Sequence, residues 1–102
     1  SEGMDQNSGI TSEIAQFFRF ILNDYPQFYD NLSEVIISED KWTFFHDSKT
    51  QIFATSEKLF TQFSILKNFE QTVYPNRRLG DYSYIDLRME EQVVVKEKYR
   101  KG

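Results

Sequence analysis

Apolar residues recur at Ile14, Phe17, Phe18, Ile21 and Leu22, a spacing of i, i+3, i+4, i+7 and i+8 that puts them on one stripe of an amphipathic helix. Thr11 or Ser12 offers a side-chain cap, and Glu13 a carboxylate in the first turn, where the helix dipole favours negative charge. Asn23-Asp24-Tyr25-Pro26 predicts the end of this helix, because the proline ring crowds the preceding residue out of helical geometry. The pattern then changes to period two. Ser33 to Ser38 is rich in β-branched residues. Lys41 to His46 alternates, with Trp42 and Phe44 on one face and Thr43 and Phe45 on the other. Thr50 to Ala54 puts Ile52 and Ala54 on one side. Glu39-Asp40 and Asp47-Ser48-Lys49 supply polar turns, so the three segments predict an antiparallel meander.

Helical spacing returns from Ser56 to Asn68, where Leu59, Phe63 and Leu66 form the stripe with Phe60 beside it. Thr55 or Ser56 is its cap, Glu57 lies in the first turn, and Lys67 and Asn68 suit the last. A loop from Gln71 to Asp81 holds Pro75, Arg77-Arg78 and Gly80. Two strands close the pattern, Tyr82 to Arg88 and Gln92 to Lys96, with core positions at Ile85 and Leu87 and at either Val93 with Val95 or Val94. The order α-β-β-β-α-β-β predicts an α+β domain over residues 10–102, with an antiparallel or mixed sheet of about five strands and two helices on one face. Ser1 to Gly9 is small and polar and is expected to be a disordered leader or cloning remnant; the basic tail Lys96 to Lys101 is expected to fray.

The length of 102 residues suits one modest core, to which ten Phe and six Tyr contribute much of the volume. Without cysteine, neither a disulfide framework nor a thiolate metal site can form. A net charge of −4 disfavours general attraction to nucleic acid or to an anionic membrane, although the Lys96–Lys101 tail offers a small local basic patch. No apolar run approaches the ~20 residues that span a bilayer.

Candidate chemistry is sparse. His46 is the only histidine, so a two-His metal site or a His-based catalytic pair cannot be built within one chain. The carboxylate neighbours Glu39-Asp40 and Glu90-Glu91 would point to opposite faces of a strand and suit solvated turns better than a shared substrate. Asp86 and Arg88, two apart, share a face and can pair. Glycine is too scattered for a phosphate cradle. These absences point away from an enzyme, with no catalytic residue, metal or cofactor expected, and toward an interaction module. The last strand offers the means: a terminal strand commonly lies at a sheet edge, whose unpaired N–H and C=O groups accept a partner strand. Gln92 to Lys96 contains no proline, so every N–H is available.

At this point the chain resembles the cell-division protein family FtsQ/DivIB. The block Tyr84-Ile85-Asp86-Leu87-Arg88, a short turn, then Gln92-Val93-Val94-Val95-Lys96 is similar to the family's terminal signature. Trp42 to Asp47 and Thr50 to Ala54 resemble its strand–turn–strand segment, and Glu57-Lys58-Leu59 its following helix. The resemblance covers residues 10–96 and corresponds to the second half of the family's β domain. Ser48-Lys49 stands where the family prefers Gly, and Met89 where an aromatic commonly follows Asp-Leu-Arg. What the resemblance implies is a divisome scaffold on the extracytoplasmic (periplasmic) face of the bacterial membrane. The full-length protein would be membrane-anchored, with its anchor, POTRA domain and first half-domain outside this chain, and it would hold FtsB/DivIC-like and FtsL-like proteins. Partner contacts would then fall on Arg88, Met89, Val93, Val94, Val95 and Lys96, with Arg88 meeting a partner carboxylate. A half-domain would also expose an edge for homodimerisation. The alternative from a different class is a small hydrophobic-ligand domain with an aromatic pocket between helices and sheet, a reading supported by the ten Phe and Trp42.

Overall fold

A computed structural model of the chain describes residues 2–47 and 49–98, with side chains from Ser12 onward. The backbone groups into two compact units, the first ending at Asp30 and the second beginning at Asn31, where the sequence predicts one domain from residue 10. The first unit holds helices α1 (Glu2–Asp24) and α2 (Pro26–Asp30). Helical backbone therefore begins well before the caps expected at Thr11 or Ser12 and takes in segment 2–9, expected as leader. No proline interrupts residues 2–24, and Glu, Met and Gln there are good helix formers. Phe17 and Ile21 are fully buried, whereas Leu22, at the margin of the predicted stripe, is exposed. Pro26 ends α1 as predicted but also opens the short α2, since its fixed φ suits a first helical turn. The Tyr25 and Phe28 rings stack at 5.4 Å, and Phe18 meets the edge of Tyr29 at 6.3 Å.

The second unit is α+β. Strands β1 (Leu32–Ser38), β2 (Lys41–His46), β3 (Gln51–Thr55), β4 (Tyr82–Asp86) and β5 (Val94–Glu97) form one mixed sheet in sequential order, with β1 and β5 at its edges. The first three make the predicted antiparallel meander, in register Ile37↔Trp42↔Ala54 and Val35↔Phe44↔Ile52. β4 joins β3 in parallel, which requires a long crossover, and helix α3 (Leu59–Val73) provides it. β5 returns antiparallel to β4.

Cross-strand partners share a face, so Trp42, Phe44, Ile52, Ala54 and Ile85 line one side of the sheet, and all are buried. α3 covers this side. Its Leu59, Phe63 and Leu66 are buried as predicted, and Phe63 meets the Phe44 ring edge-on at 4.8 Å. Phe69 approaches Tyr82 at 5.6 Å, a contact that carries the helix past Asn68 and through the start of the predicted loop. At the other end, Ser56–Lys58 is a 3-10 turn rather than α-helix, and Thr55 makes no side-chain cap. The Thr55 backbone N–H donates instead to Gln62 Oε1 at 2.7 Å, so a side chain one turn inside the helix satisfies the strand end.

Thr50, expected as the first residue of β3, lies just outside it and is fully buried. Its hydroxyl lies 2.8 Å from the Tyr82 carbonyl oxygen and 3.1 Å from that of Leu79, fastening the start of β3 to the start of β4. β4 ends at Asp86, two residues sooner than predicted, and β5 spans Val94–Glu97 rather than Gln92–Lys96. The beginning of the basic tail is held: Lys96 and Glu97 belong to β5, and the Lys98 N–H donates to the Asp81 carbonyl at 2.9 Å. Residues 99–101 of that tail, Ser48 of the predicted turn and Ser1 lie outside the described residues. Lys49 has φ 68, a value that favours glycine.

Candidate functional site

The six residues predicted to meet a partner fall on one continuous stretch, the β4–β5 connection and β5 itself. β5 pairs with β4 through Asp86↔Val94, Ile85↔Val95, Tyr84↔Lys96 and Tyr82↔Glu97, and among the described residues no further strand lies beyond it in the sheet. Val95 faces the same side as Ile85 and is half-buried, as is Val93 just before the strand. Val94 and Lys96 face the opposite side and are exposed, Val94 at 36%. Of the two core alternatives for this strand, the structure follows Val93 with Val95.

The side of the sheet away from α3 carries a polar-aromatic surface next to this edge. Phe53 and Tyr84 lie 5.8 Å apart, with the Lys41 ammonium 4.6 Å and the Arg88 guanidinium 5.3 Å from the Phe53 ring centre. Cations over an aromatic face are attracted by its quadrupole. Arg88 is held there by Asp86: Nε donates to Oδ1 at 2.9 Å and Nη2 to Oδ2 at 2.8 Å. The Arg88 backbone N–H also donates to Asp86 Oδ1 at 2.9 Å. This return of Arg88 onto Asp86 ends β4, because an N–H committed to a side chain two residues back cannot continue a ladder. The Arg88 hydrogen bonds hold the Asp86 carboxyl below its ordinary range, while its partial burial pulls the other way. Asp86 in turn raises the Arg88 pKa further. A partner carboxylate at Arg88 would therefore share a guanidinium already bound within the chain.

Between Asp86 and Arg88, Leu87 turns back into the core, its N–H donating to the Phe53 carbonyl at 2.9 Å, and beyond Arg88, Met89 is 45% exposed. Glu91 takes φ 60 in the turn. Leu87, Met89 and Ile65 of α3 form the apolar floor of a groove of about 330 Å³, rimmed by Lys58, Arg88, Glu90 and Glu91. This groove lies between α3 and the β4–β5 connection and has no signature in the residue pattern, because Ile65 lies on the flank of the α3 stripe.

A second cleft, of about 370 Å³, brings His46 at the end of β2 beside Glu70 and Tyr74 of the α3 end and Arg78. Burial lowers the His46 pKa, opposed by the Glu70 and Asp47 carboxylates. The Arg78 guanidinium lies 5.2 Å from the Tyr74 ring centre, and Arg77 pairs with Glu97 of β5 at 3.3 Å. The two arginines thus contact residues of their own chain. Trp42, one basis for expecting an aromatic pocket, is only 1% exposed and lies 6.0 Å from the Phe44 ring, and it lines neither cleft.

No group of His, Asp or Glu side chains among the described residues is arranged to hold a metal ion, and no helix among them is long and apolar enough to cross a membrane. Comparison with protein-family models, curated proteins and solved structures gives no match to this chain.

Proposed function

We propose that this chain is a non-catalytic interaction domain that takes a partner strand on the outer edge of β5. The observation that carries this reading is the place of β5 in the sheet: it is paired on one side only, and Val94 and Lys96 stand exposed along it. Strand addition draws its affinity from main-chain hydrogen bonds and its specificity from alternate side chains. Here a partner would lay apolar residues beside Val93 and Val95 on the core side and meet Val94 and Lys96 on the other. The groove floored by Leu87, Met89 and Ile65 would accept a further apolar side chain of the same partner.

The partner class follows from the resemblance to FtsQ/DivIB, which rests on Tyr84 to Arg88, on Gln92 to Lys96 and on the order of elements. On that reading the chain is the terminal part of a divisome scaffold. It would work on the extracytoplasmic side of the membrane, and its partners would be FtsB/DivIC-like and FtsL-like proteins. The test is a titration of the folded chain with the extracytoplasmic segment of an FtsB/DivIC-like protein, run beside Val94→Pro. Saturable binding that is lost in the variant supports both edge and family. Binding retained by Val94→Pro would remove β5 as the docking edge, and no binding to the folded wild-type chain would remove the partner class.

A further inference from the structure

β5 is not the only open edge. β1 closes the other side of the sheet, is seven residues long and carries Ile36 and Ile37 at 47% and 37% exposure. From Glu34 to Ser38 it pairs with β2 without a register shift, contains no proline and is apolar over Val35–Ile37. Natural edges are usually shortened, charged or covered, and β1 is none of these along Val35–Ile37.

We propose that the β1 edge docks onto the β5 edge of a second copy of this chain, head to tail, continuing one sheet across the two molecules. Three features of the sheet carry the assignment. The first is direction. β1 runs parallel to β3 and β4 and antiparallel to β5, so two copies stacked in the same orientation bring β1 antiparallel to the neighbour's β5. The second is facing. Val35 and Ile37 share the core side with Phe44 and Trp42, as Val95 does with Ile85. Glu34 and Ile36 share the other side with Phe45 and Thr43, as Val94 and Lys96 do with Asp86 and Tyr84.

The third is side-chain complementarity. With Val95 opposite Val35 of the next copy, Val94 falls opposite Ile36, Val93 opposite Ile37 and Lys96 opposite Glu34. Every apolar residue meets an apolar residue on its own side, and the charges directly across from each other are opposite. Pairing β1 with a second β1 about a two-fold axis gives Glu34 no cation. The Glu90-Glu91 and Glu39-Asp40 turns approach one another in the head-to-tail register, which limits its strength.

A head-to-tail contact does not close on itself, so assembly proceeds to short open chains rather than to a dimer. A partner strand bound at β5 would cap such a chain. The contact stands apart from the partner assigned above, because it requires β1 and that partner does not.

The experiment is sedimentation of the full chain from about 10 µM to about 1 mM, where weak edge contacts become populated. The mass should rise with concentration. Glu34→Lys and Lys96→Glu each set like charges opposite one another and should weaken association about tenfold. Both positions are exposed, and unchanged far-UV circular dichroism verifies the fold of each variant. The decisive arm is the equimolar mixture of the two variants, in which every contact between unlike variants again joins opposite charges, so that association rises well above that of either variant alone and approaches the wild-type level. A chain that stays monomeric throughout overturns the proposal, as does a Lys96→Glu variant that associates like wild type or a mixture that restores nothing.

Discussion

Replacing Asp86 by Asn tests how the end of β4 aims β5. The Asp86 side chain is mostly enclosed and accepts two hydrogen bonds from the Arg88 guanidinium and one from the Arg88 backbone N–H. Asn keeps an acceptor for the backbone N–H and Nε but turns an NH2 group toward Nη2, so one contact becomes donor against donor and the ion pair is lost. A hydrogen bond to a charged group contributes about 1.5–3 kcal/mol. The Arg88 side chain is 36% exposed, however, and solvent screens the pair toward the ~0–1 kcal/mol of exposed ion pairs. The expected loss is therefore about 1–2 kcal/mol, and each kcal/mol lowers Tm by about 4–8 °C in a domain of this size.

The pH dependence gives a second readout. The folded Asp86 pKa is lowered, so its contribution is present above the ordinary carboxylate range, near ~4, and disappears as pH falls through the lowered value. Wild type and Asp86→Asn should thus differ at neutral pH and converge in acid. Urea denaturation followed by Trp42 fluorescence, with Arg88→Gln and the double variant completing a cycle, isolates the pair. A coupling energy below about 0.3 kcal/mol would refute the claim that this pair holds the strand end. The same variant should also weaken any strand partner of β5, since Asp86 is the residue that Val94 pairs with.

Thr50→Val keeps the shape but removes the buried hydroxyl that reaches the Tyr82 and Leu79 carbonyls, and should cost about 1–3 kcal/mol by chemical denaturation. Burial lowers the His46 pKa from 6.5, against the pull of the Glu70 and Asp47 carboxylates. Its contribution to stability is therefore complete above that value and lost as pH falls through the lowered folded pKa. His46→Asn should flatten the stability profile just below pH 6.5, measured as the urea midpoint against pH. A variant with an unchanged slope would place the acid sensitivity elsewhere.

Alternation made β2 legible to the residue, because Trp42 and Phe44 are large enough to declare one face and Lys41 and His46 bound the run. The α3 stripe was legible from its helical spacing, while the residue pattern left the sheet open as antiparallel or mixed, because the parallel β3–β4 pairing depends on the α3 crossover. The ends of β4 and β5 were not, since they depend on Arg88 folding back onto Asp86, a choice between ladder and side chain that residue type alone leaves open. The extra helix α2 was hidden by Pro26, which serves equally as a stop and as a first helical residue. The His46 cleft needs residues 46, 70, 74 and 78 to be brought together by the crossover, and the groove at Met89 needs Ile65 on an α3 flank. Neither has a signature in local periodicity. β1 escaped notice as an edge because strand order is a property of topology, not of any one strand.

The ladder between β3 and β4 is three residue pairs long, Gln51↔Tyr84, Ile52↔Ile85 and Phe53↔Asp86, with the Thr50 hydroxyl and the Leu87 N–H fastening its two ends. The meander can form from neighbouring stretches of chain, whereas this seam must wait for α3 to close a long loop. Such non-local pairing slows folding, and so short a ladder is expected to open before the longer hairpin ladders of the meander. Amide exchange along Tyr82–Asp86 and Val94–Glu97 should therefore be faster than along β2 and β3. While the seam is parted, β3 and β4 become edges too, so the parted state exposes more open strand than the folded one and is the form most exposed to aggregation.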